Sequence, residues 1–274
     1  MIEVLTSKDN RILKEIRQLT QKKFRDQLGK FLVEGRTLVS EALNSSAEIT
    51  MILYCEELIS GTNAEKAQEF KEFLERIAGR GIPLYRLDLK LFSELSDTKT
   101  PQGILGVAKK KKITQSEFFE GKPEDNFIVL DRLQDPGNLG SILRTADASG
   151  FQGIILLKGS GDIYSSKVVR ATAGSIFRVP VLFVDTPEET IALLRANGKN
   201  ILCTSPRAGK AYYDAQIDVN MAIVIGNEAN GACDVFMQQC DSQVSIPMAG
   251  VVESLNAGIC AGILMYETVR QKSK

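Results

Sequence analysis

The sequence predicts an α/β protein of two domains, with parallel strand pairing in the second. Three observations carry that expectation. Short apolar runs alternate with longer segments whose apolar residues recur at helical spacing, the order that builds strand, crossover helix and parallel strand. Two runs, FIVL at 127–130 and MAIVI at 221–225, are apolar throughout, as strands covered on both faces must be. Both lead into polar, glycine-bearing turns, DRLQDPGN and GNEANG, at the strand ends where α/β sheets place their ligands.

In chain order, strand patterns at 31–34, 49–54, 82–87 and 103–108 alternate with helical patterns at 36–43, 64–77 and 89–95, which predicts a small α/β sandwich. Ahead of them, 8–30 reads as a helical segment with Ile12, Ile16 and Leu19 on its inner face. It carries eight basic residues against three acidic ones. Lys14, Arg17, Lys22, Lys23 and Arg25 are its candidate phosphate contacts, although a charge run standing alone reads first as a solvated face. KKKKITQSEFFEGKPED has high polarity and few core positions and reads as a linker. The division expected is 1–107, a linker at 108–124, and a second domain at 125–274. In that domain strands are expected at 127–130, 153–157, 179–184, 201–204, 222–225 and 243–246. Thr186, Pro187 and Glu189 form a capping box that opens a helix over 186–196.

The stretch 131–150, DRLQDPGNLGSILRTADASG, places two polar residues at a strand end. Pro136-Gly137 interrupts the strand, and Asn138 reads as the N-cap of a helix running through Ile142, Leu143 and Ala146. Arg144 follows within two turns. Its permanently charged guanidinium suits a phosphate or a developing oxyanion, and the plain alternative is an arginine on a solvated helix face. Gly226, between an apolar strand and a polar turn, marks either positive φ or close approach of a ligand. SIPMAG at 245–250 leads through Val251, Val252 and Glu253 into Ser254-Leu255-Asn256 and a helix carrying Ala257, Gly258, Ala261 and Gly262, small residues that let another backbone approach.

Composition narrows the chemistry. With 43% hydrophobic and 25% charged residues the chain reads as globular, and its longest apolar stretch, 257–266, is half of the ~20 residues that a membrane span needs. The amino terminus resembles neither a signal nor a transit peptide, so a cytoplasmic address is expected. Histidine is absent, which removes the usual general base and the commonest metal ligand. Five cysteines without C-x-x-C pairing read as reduced core residues, and no metal is expected. No G-x-G-x-x-G follows a first strand, which argues against a nicotinamide dehydrogenase.

N-x-G-x-x-x-R-T-A at 138–146, the G-N-E turn at 226–228 and I-P-M-x-x-x-x-x-S-L-N at 246–256 together resemble, in order and spacing, the signature motifs of the SpoU/TrmH-type RNA ribose 2′-O-methyltransferases of the SPOUT superfamily. The likeness runs over about 127–271, with Ala229 where many relatives carry glycine. FLVEGRTLVSEAL and TPQGILGVAKK resemble, more loosely, the amino-terminal substrate-binding domain of that family, itself similar to a ribosomal RNA-binding protein. The resemblance implies a trefoil knot in the second domain, S-adenosylmethionine as methyl donor, and a homodimer formed by the carboxy-terminal domain. It implies catalytic roles for Arg144, Asn138, Glu228, Ser254 and Asn256, and a donor site built from Thr204, Ser205, Gly226, Ile246, Met248 and Leu255. It also points to RNA as partner, large-subunit ribosomal RNA first because of the extra domain. Transfer RNA, or a non-catalytic RNA-binding or ribosome-assembly role on the same fold, stands as the alternative.

Overall fold

The computed structural model describes residues 2–60, 64–121 and 123–273. They divide into two compact units, Met1–Lys111 with Tyr164–Phe177, and 112–163 with 178–274.

In the first unit β1 (Ile2–Val4), α1 (Arg11–Gln18), α2 (Lys22–Leu28), β2 (Lys30–Glu34), α3 (Arg36–Leu43), β3 (Ile49–Tyr54), α4 (Glu56–Ser60), α5 (Ala64–Gly79), β4 (Leu84–Arg86), α6 (Leu89–Leu95) and β5 (Ile104–Lys109) follow one another. The sheet runs β1-β4-β3-β5-β2, with β5 antiparallel to both of its neighbours. Leu13, Ile16, Leu53, Phe92 and Val107 are among its buried core. The single amphipathic helix expected over 8–30 is two. Gln21 is extended (φ −102°, ψ 133°), and the Thr20 hydroxyl takes the Arg17 carbonyl at 2.7 Å, a side chain competing for a helical acceptor. Strand β1 and helix α4 escaped the periodicity because each is too short to show one.

The second unit holds α7 (Gln115–Phe119), β6 (Phe127–Leu130), α8 (Pro136–Ala148), β7 (Gly153–Leu157), then, after α9 (Ser166–Ala171), which lies in the first unit, β8 (Val181–Val184), α10 (Pro187–Ala196), β9 (Asn200–Thr204), β10 (Met221–Ile225), α11 (Asp234–Gln239), β11 (Ser242–Val244) and α12 (Ala257–Lys272). All six strands are parallel, in the order β11-β9-β10-β6-β7-β8. Every residue of β6 and β10 is buried, as their unbroken apolar runs demand.

Two expectations change here. The linker contains ordered helix: Thr114 and Glu117 complete a reciprocal capping box, and Phe118 is buried against Phe119 and Phe127. A Cβ at Gly153 would lie 2.5 Å from the Phe118 ring, so β7 and α7 fit only without one. The polar composition hid two aromatic anchors; Lys122 of that stretch lies outside the described residues. At α10 only half of the expected box forms, because Thr186 accepts from the Glu189 N–H while the Glu189 carboxylate accepts from Gln115.

Candidate active site

The strand order reverses between β6 and β10, which opens a crevice at their carboxyl ends. Two turns meet in it. The first follows β6. Asp131 is fully buried and accepts from the Cys233 N–H at 2.7 Å, and Arg132 adopts the left-handed conformation (φ +57°) with its guanidinium on that carboxylate. The N-cap of α8 is Asp135, which accepts from the Asn138 N–H at 2.9 Å with Pro136 in the first turn, so Asn138 is inside the helix rather than capping it. Aspartate caps as well as asparagine, and proline is favoured immediately after a cap. The Asp135-Pro136 pair was the signal for this start.

The second turn follows β10. Asn227 folds it, its Oδ1 accepting from the Ala229 and Asn230 N–H groups while its Nδ2 donates to the Arg132 carbonyl at 2.9 Å. That geometry aims Glu228 at the start of α8. Its carboxylate accepts from the Asp135 N–H at 3.0 Å, the Gln134 N–H at 3.3 Å and the Asn138 side-chain amide at 3.1 Å. Partial burial acts to raise the Glu228 pKa, and these hydrogen bonds outweigh it and leave it below the ordinary value. Asn138 is 4% exposed, so its orientation is fixed.

Gly226 sits under this turn for a reason the sequence left open. A Cβ there would lie 1.9 Å from the Ala232 nitrogen and 2.0 Å from the Gly231 carbonyl carbon. The close approach is of the chain's own backbone, and φ is not positive.

Helix α12 brings the third segment. Asn256 is its N-cap, accepting from the Gly258 and Ile259 N–H groups at 2.9 and 3.3 Å. Gly258 lets α12 press on α8: a Cβ would fall 2.5 Å from Ser141 Oγ, 3.2 Å from Asn256 Oδ1 and 3.4 Å from Asn138 Oδ1. Asn138 and Asn256 therefore share one small space. Ser254 is exposed on the approach to the helix and makes no hydrogen bond among the described residues. Arg144 is exposed as well, and no acceptor or carboxylate engages it there. Six residues along the helix set it about 120° around the axis from Asn138, on the outward side.

The segments after β9 and β11 lie beside this crevice. Ser205 N–H pairs with the Val244 carbonyl, and the Thr204 hydroxyl donates to Val224. Strand β11 is shorter than expected, so Ser245 and Ile246 fall beyond it. Thr204, Ser205, Ile246, Met248 and Leu255 are all half-buried.

The amino-terminal cations are dispersed in role. Lys22 and Lys23 are exposed, whereas Lys14 pairs with Asp9 at 3.1 Å and Arg17 spans the Lys8 carbonyl (2.7 Å) and Glu94 (3.5 Å). Arg25 is 5% exposed and donates to the Leu19 carbonyl at 2.7 Å, which makes it a buried support of the α1–α2 corner and not a phosphate contact. Burial pushes the Cys55 thiol up to about 11 and raises Cys203, Cys233 and Cys260, as for unreactive free thiols.

A family model described as the SpoU rRNA methylase family matches residues 125–266, and one described as an MRM3-like substrate binding domain matches residues 10–106. The 23S rRNA (guanosine(2553)-2′-O)-methyltransferase RlmP of Bacillus subtilis is 31% identical over 262 residues, spanning 96% of this chain and 97% of its own length. The AdoMet-bound rRNA methyltransferase from Sinorhizobium meliloti superposes with a TM-score of 0.85 at 32% identity, covering 98% of each chain. The SpoU methyltransferase AviRb from Streptomyces viridochromogenes, in complex with AdoMet, gives 0.82 at 28% identity over 97% of this chain and 99% of its own.

Proposed function

The chain belongs to the SpoU rRNA methylase family, and from that premise we propose how its residues divide the work of methylating a ribose 2′-hydroxyl of large-subunit ribosomal RNA. It is an S-adenosylmethionine-dependent RNA methyltransferase. When bound, S-adenosylmethionine supplies an electrophilic sulfonium methyl. The residues present suit it: Ile246, Met248 and Leu255 offer apolar surface only half covered by the chain, Thr204 and Ser205 stand beside them, and no charged side chain is among them.

Arg144 faces the acceptor. A guanidinium is too basic to act as a simple general base at neutral pH, so its work is electrostatic: it orients the hydroxyl and an adjacent phosphate and stabilises the negative charge that develops on the ribose oxygen. Asn138 holds the ribose with Oδ1, since its Nδ2 is already given to Glu228. Asn256 spends Oδ1 on capping and keeps Nδ2 for the substrate, and Ser254 offers a free hydroxyl. Glu228 acts through Asn138 and the Gln134–Asp135 backbone, as a positioning residue. Gly226 keeps the turn that carries Glu228 in place, which is its link to the donor site. The exposed cations of the first unit, Lys22 and Lys23 foremost, contact RNA phosphates.

The working form is a homodimer in the cytoplasm. Ile259 and Tyr266 are 55% and 52% exposed on α12, with Gly262 and half-buried Ile263 between them, a stripe at helical spacing that a second copy would cover. No helix among the described residues is long and apolar enough to cross a membrane.

The observation that carries the assignment is the meeting of Asn138, Glu228 and Asn256 at the crevice between β6 and β10, with Arg144 left unpaired on the same helix as Asn138. The test is transfer of labelled methyl from S-adenosylmethionine to unmodified 23S ribosomal RNA transcript, the product mapped by ribose protection from alkaline cleavage. Transfer to transfer RNA alone would replace the substrate class. RNA binding without transfer would leave a non-catalytic assembly factor.

A further inference from the structure

The loop after β9, SPRAGKAYYD at 205–214, is held by its backbone and by the Ser205 hydroxyl, which accepts from the Arg207 N–H at 3.2 Å, and the side chains of Arg207 and Lys210 have no hydrogen-bond or ion-pair partner among the described residues. Ser205 N–H is bonded to the Val244 carbonyl at 3.0 Å, the Lys210 carbonyl accepts from the Ser245 N–H at 2.8 Å, and Tyr212 N–H returns to the Ser245 carbonyl at 2.9 Å. Ala211 and Ser245 form a parallel bridge. The loop is thereby fastened to the segment that continues into Ile246 and Met248. Farther on, the Gln271 side chain of α12 bonds the Ala215 carbonyl and the Ile217 N–H, both at 2.9 Å.

Against that fixed backbone stand Arg207, Lys210 and Tyr213, all exposed, Tyr213 by 52%. In the second unit the other internal cations are engaged: Arg132 with Asp131, Lys158 with Asp185, Arg178 with Asp147, Arg270 with Glu267, and Arg195 and Lys199 with backbone carbonyls. Among its described residues, apart from Lys112 and Lys272 near the ends of the unit, the cations without an acceptor are Arg144, Arg207 and Lys210. The loop holds one acid, Asp214. Two free cations and an exposed aromatic ring on an ordered loop beside a nucleotide-modifying site match what single-stranded RNA requires, charge for the phosphates and a flat face for a base.

We infer that the 205–214 loop is an acceptor-strand clamp, in which Arg207 and Lys210 grip phosphates and Tyr213 stacks on a nucleobase next to the methylated nucleotide. The inference rests on the proposed RNA methyltransferase reading and adds to it the surface of the catalytic unit that grips the strand.

The test compares full-length parent, R207A/K210A, Y213A and Y213F in three measurements: S-adenosylmethionine affinity by calorimetry, sedimentation, and affinity for unmodified 23S ribosomal RNA transcript against salt concentration. The clamp predicts donor affinity within about twofold and unchanged sedimentation for every variant. For R207A/K210A, RNA affinity falls by roughly tenfold or more, and the slope of log affinity against log salt becomes shallower by about 1.4, at ~0.7 for each single-strand phosphate contact. Y213A loses roughly fivefold or more with an unchanged slope, and Y213F keeps parental affinity because the ring is retained. Parental RNA affinity and slope in R207A/K210A would overturn the inference, as would loss of donor binding, which moves the loop to the donor side, or a change in sedimentation, which makes it a subunit contact. A parent that transfers no methyl group to any RNA would instead sink the functional reading itself.

Discussion

Asn138 Nδ2 donates to Glu228 Oε1 at 3.1 Å, joining two motifs ninety residues apart at the crevice where the strand order reverses. Glu228 also accepts the Gln134 and Asp135 N–H groups, and against the raising effect of burial these bonds, together with its own backbone N–H, hold its carboxyl below the ordinary value of 4.5. A carboxyl whose folded pKa is depressed contributes stability that is fully present above its unfolded pKa and is lost as pH falls through the lower folded one. The stability difference between the parent and Glu228→Gln should therefore be flat from pH 7 to about 5 and shrink below about 4.5. Urea titrations across that range measure it, and a difference that vanishes already at pH 6 would deny Glu228 its role as the anchor of Asn138.

Gly226 bears on stability as much as on the donor. With the Ala232 nitrogen 1.9 Å from the position of a Cβ, Gly226→Ala must displace the 226–232 turn. Overpacking of this kind costs about 3 kcal/mol, and the same displacement moves Glu228. Denaturant midpoint and S-adenosylmethionine affinity should fall together. A variant of parental stability with donor binding alone lost would show that the glycine serves only the ligand.

The contact between α8 and α12 yields a coupling. Gly258→Ala drives a methyl against Ser141 Oγ, 2.5 Å away, in the space shared by Asn138 and Asn256. Because the nearest obstruction is one hydroxyl, with Asn256 Oδ1 at 3.2 Å and Asn138 Oδ1 at 3.4 Å behind it, Ser141→Ala should relieve most of the clash. The double variant should recover most of the stability and methyl transfer lost by Gly258→Ala, with a coupling of about 1 kcal/mol in a mutant cycle. Additive losses would place the strain elsewhere.

Much of this architecture was legible in residue patterns, and the exceptions share a cause. The strands over Phe127–Leu130 and Gly153–Leu157 follow directly from apolar runs, and α6 from its periodicity. The α8 start is ambiguous in the sequence because Asp135 and Asn138 are comparable caps three residues apart, and only the carboxylate's bond to the Asn138 N–H decides between them. Arg25 reads as a surface charge from composition, which cannot show that the chain breaks at Gln21 and turns its side chain inward. Gly226 could be flagged as special from sequence, but whether ligand or backbone approached it depended on residues 231 and 232 folding back. Patterning reports what each segment buries, and contacts between segments are where it stops.

The outward face of α12 predicts the oligomer. Ile259→Asp replaces the first residue of the apolar stripe with a charge, and removing a charge from water into such an interface without a partner costs about 3 kcal/mol, ~10²-fold in the dimer constant. Sedimentation at micromolar concentration should show a dimer for the parent and mostly monomer for the variant. A parent that is monomeric at these concentrations would remove the stripe from the assembly.

Arg144 separates chemistry from donor binding. It is exposed, has no acceptor among the described residues, and projects from α8 about 120° from the Asn138–Glu228 contact, so no hydrogen bond or ion pair there depends on its side chain. Arg144→Ala should keep the parental denaturation midpoint and near-parental S-adenosylmethionine affinity while single-turnover methylation of 23S ribosomal RNA transcript falls by about 10²-fold or more, the scale for deleting one preorganised charge-stabilising group. Arg144→Lys should recover little, since an ammonium does not reproduce a planar fork that engages a hydroxyl and a phosphate together. The split identifies the role. Loss confined to RNA affinity at saturable turnover would make Arg144 a docking contact, loss of calorimetric donor binding would move it to the cofactor side, and undiminished single-turnover rates would remove it from the mechanism.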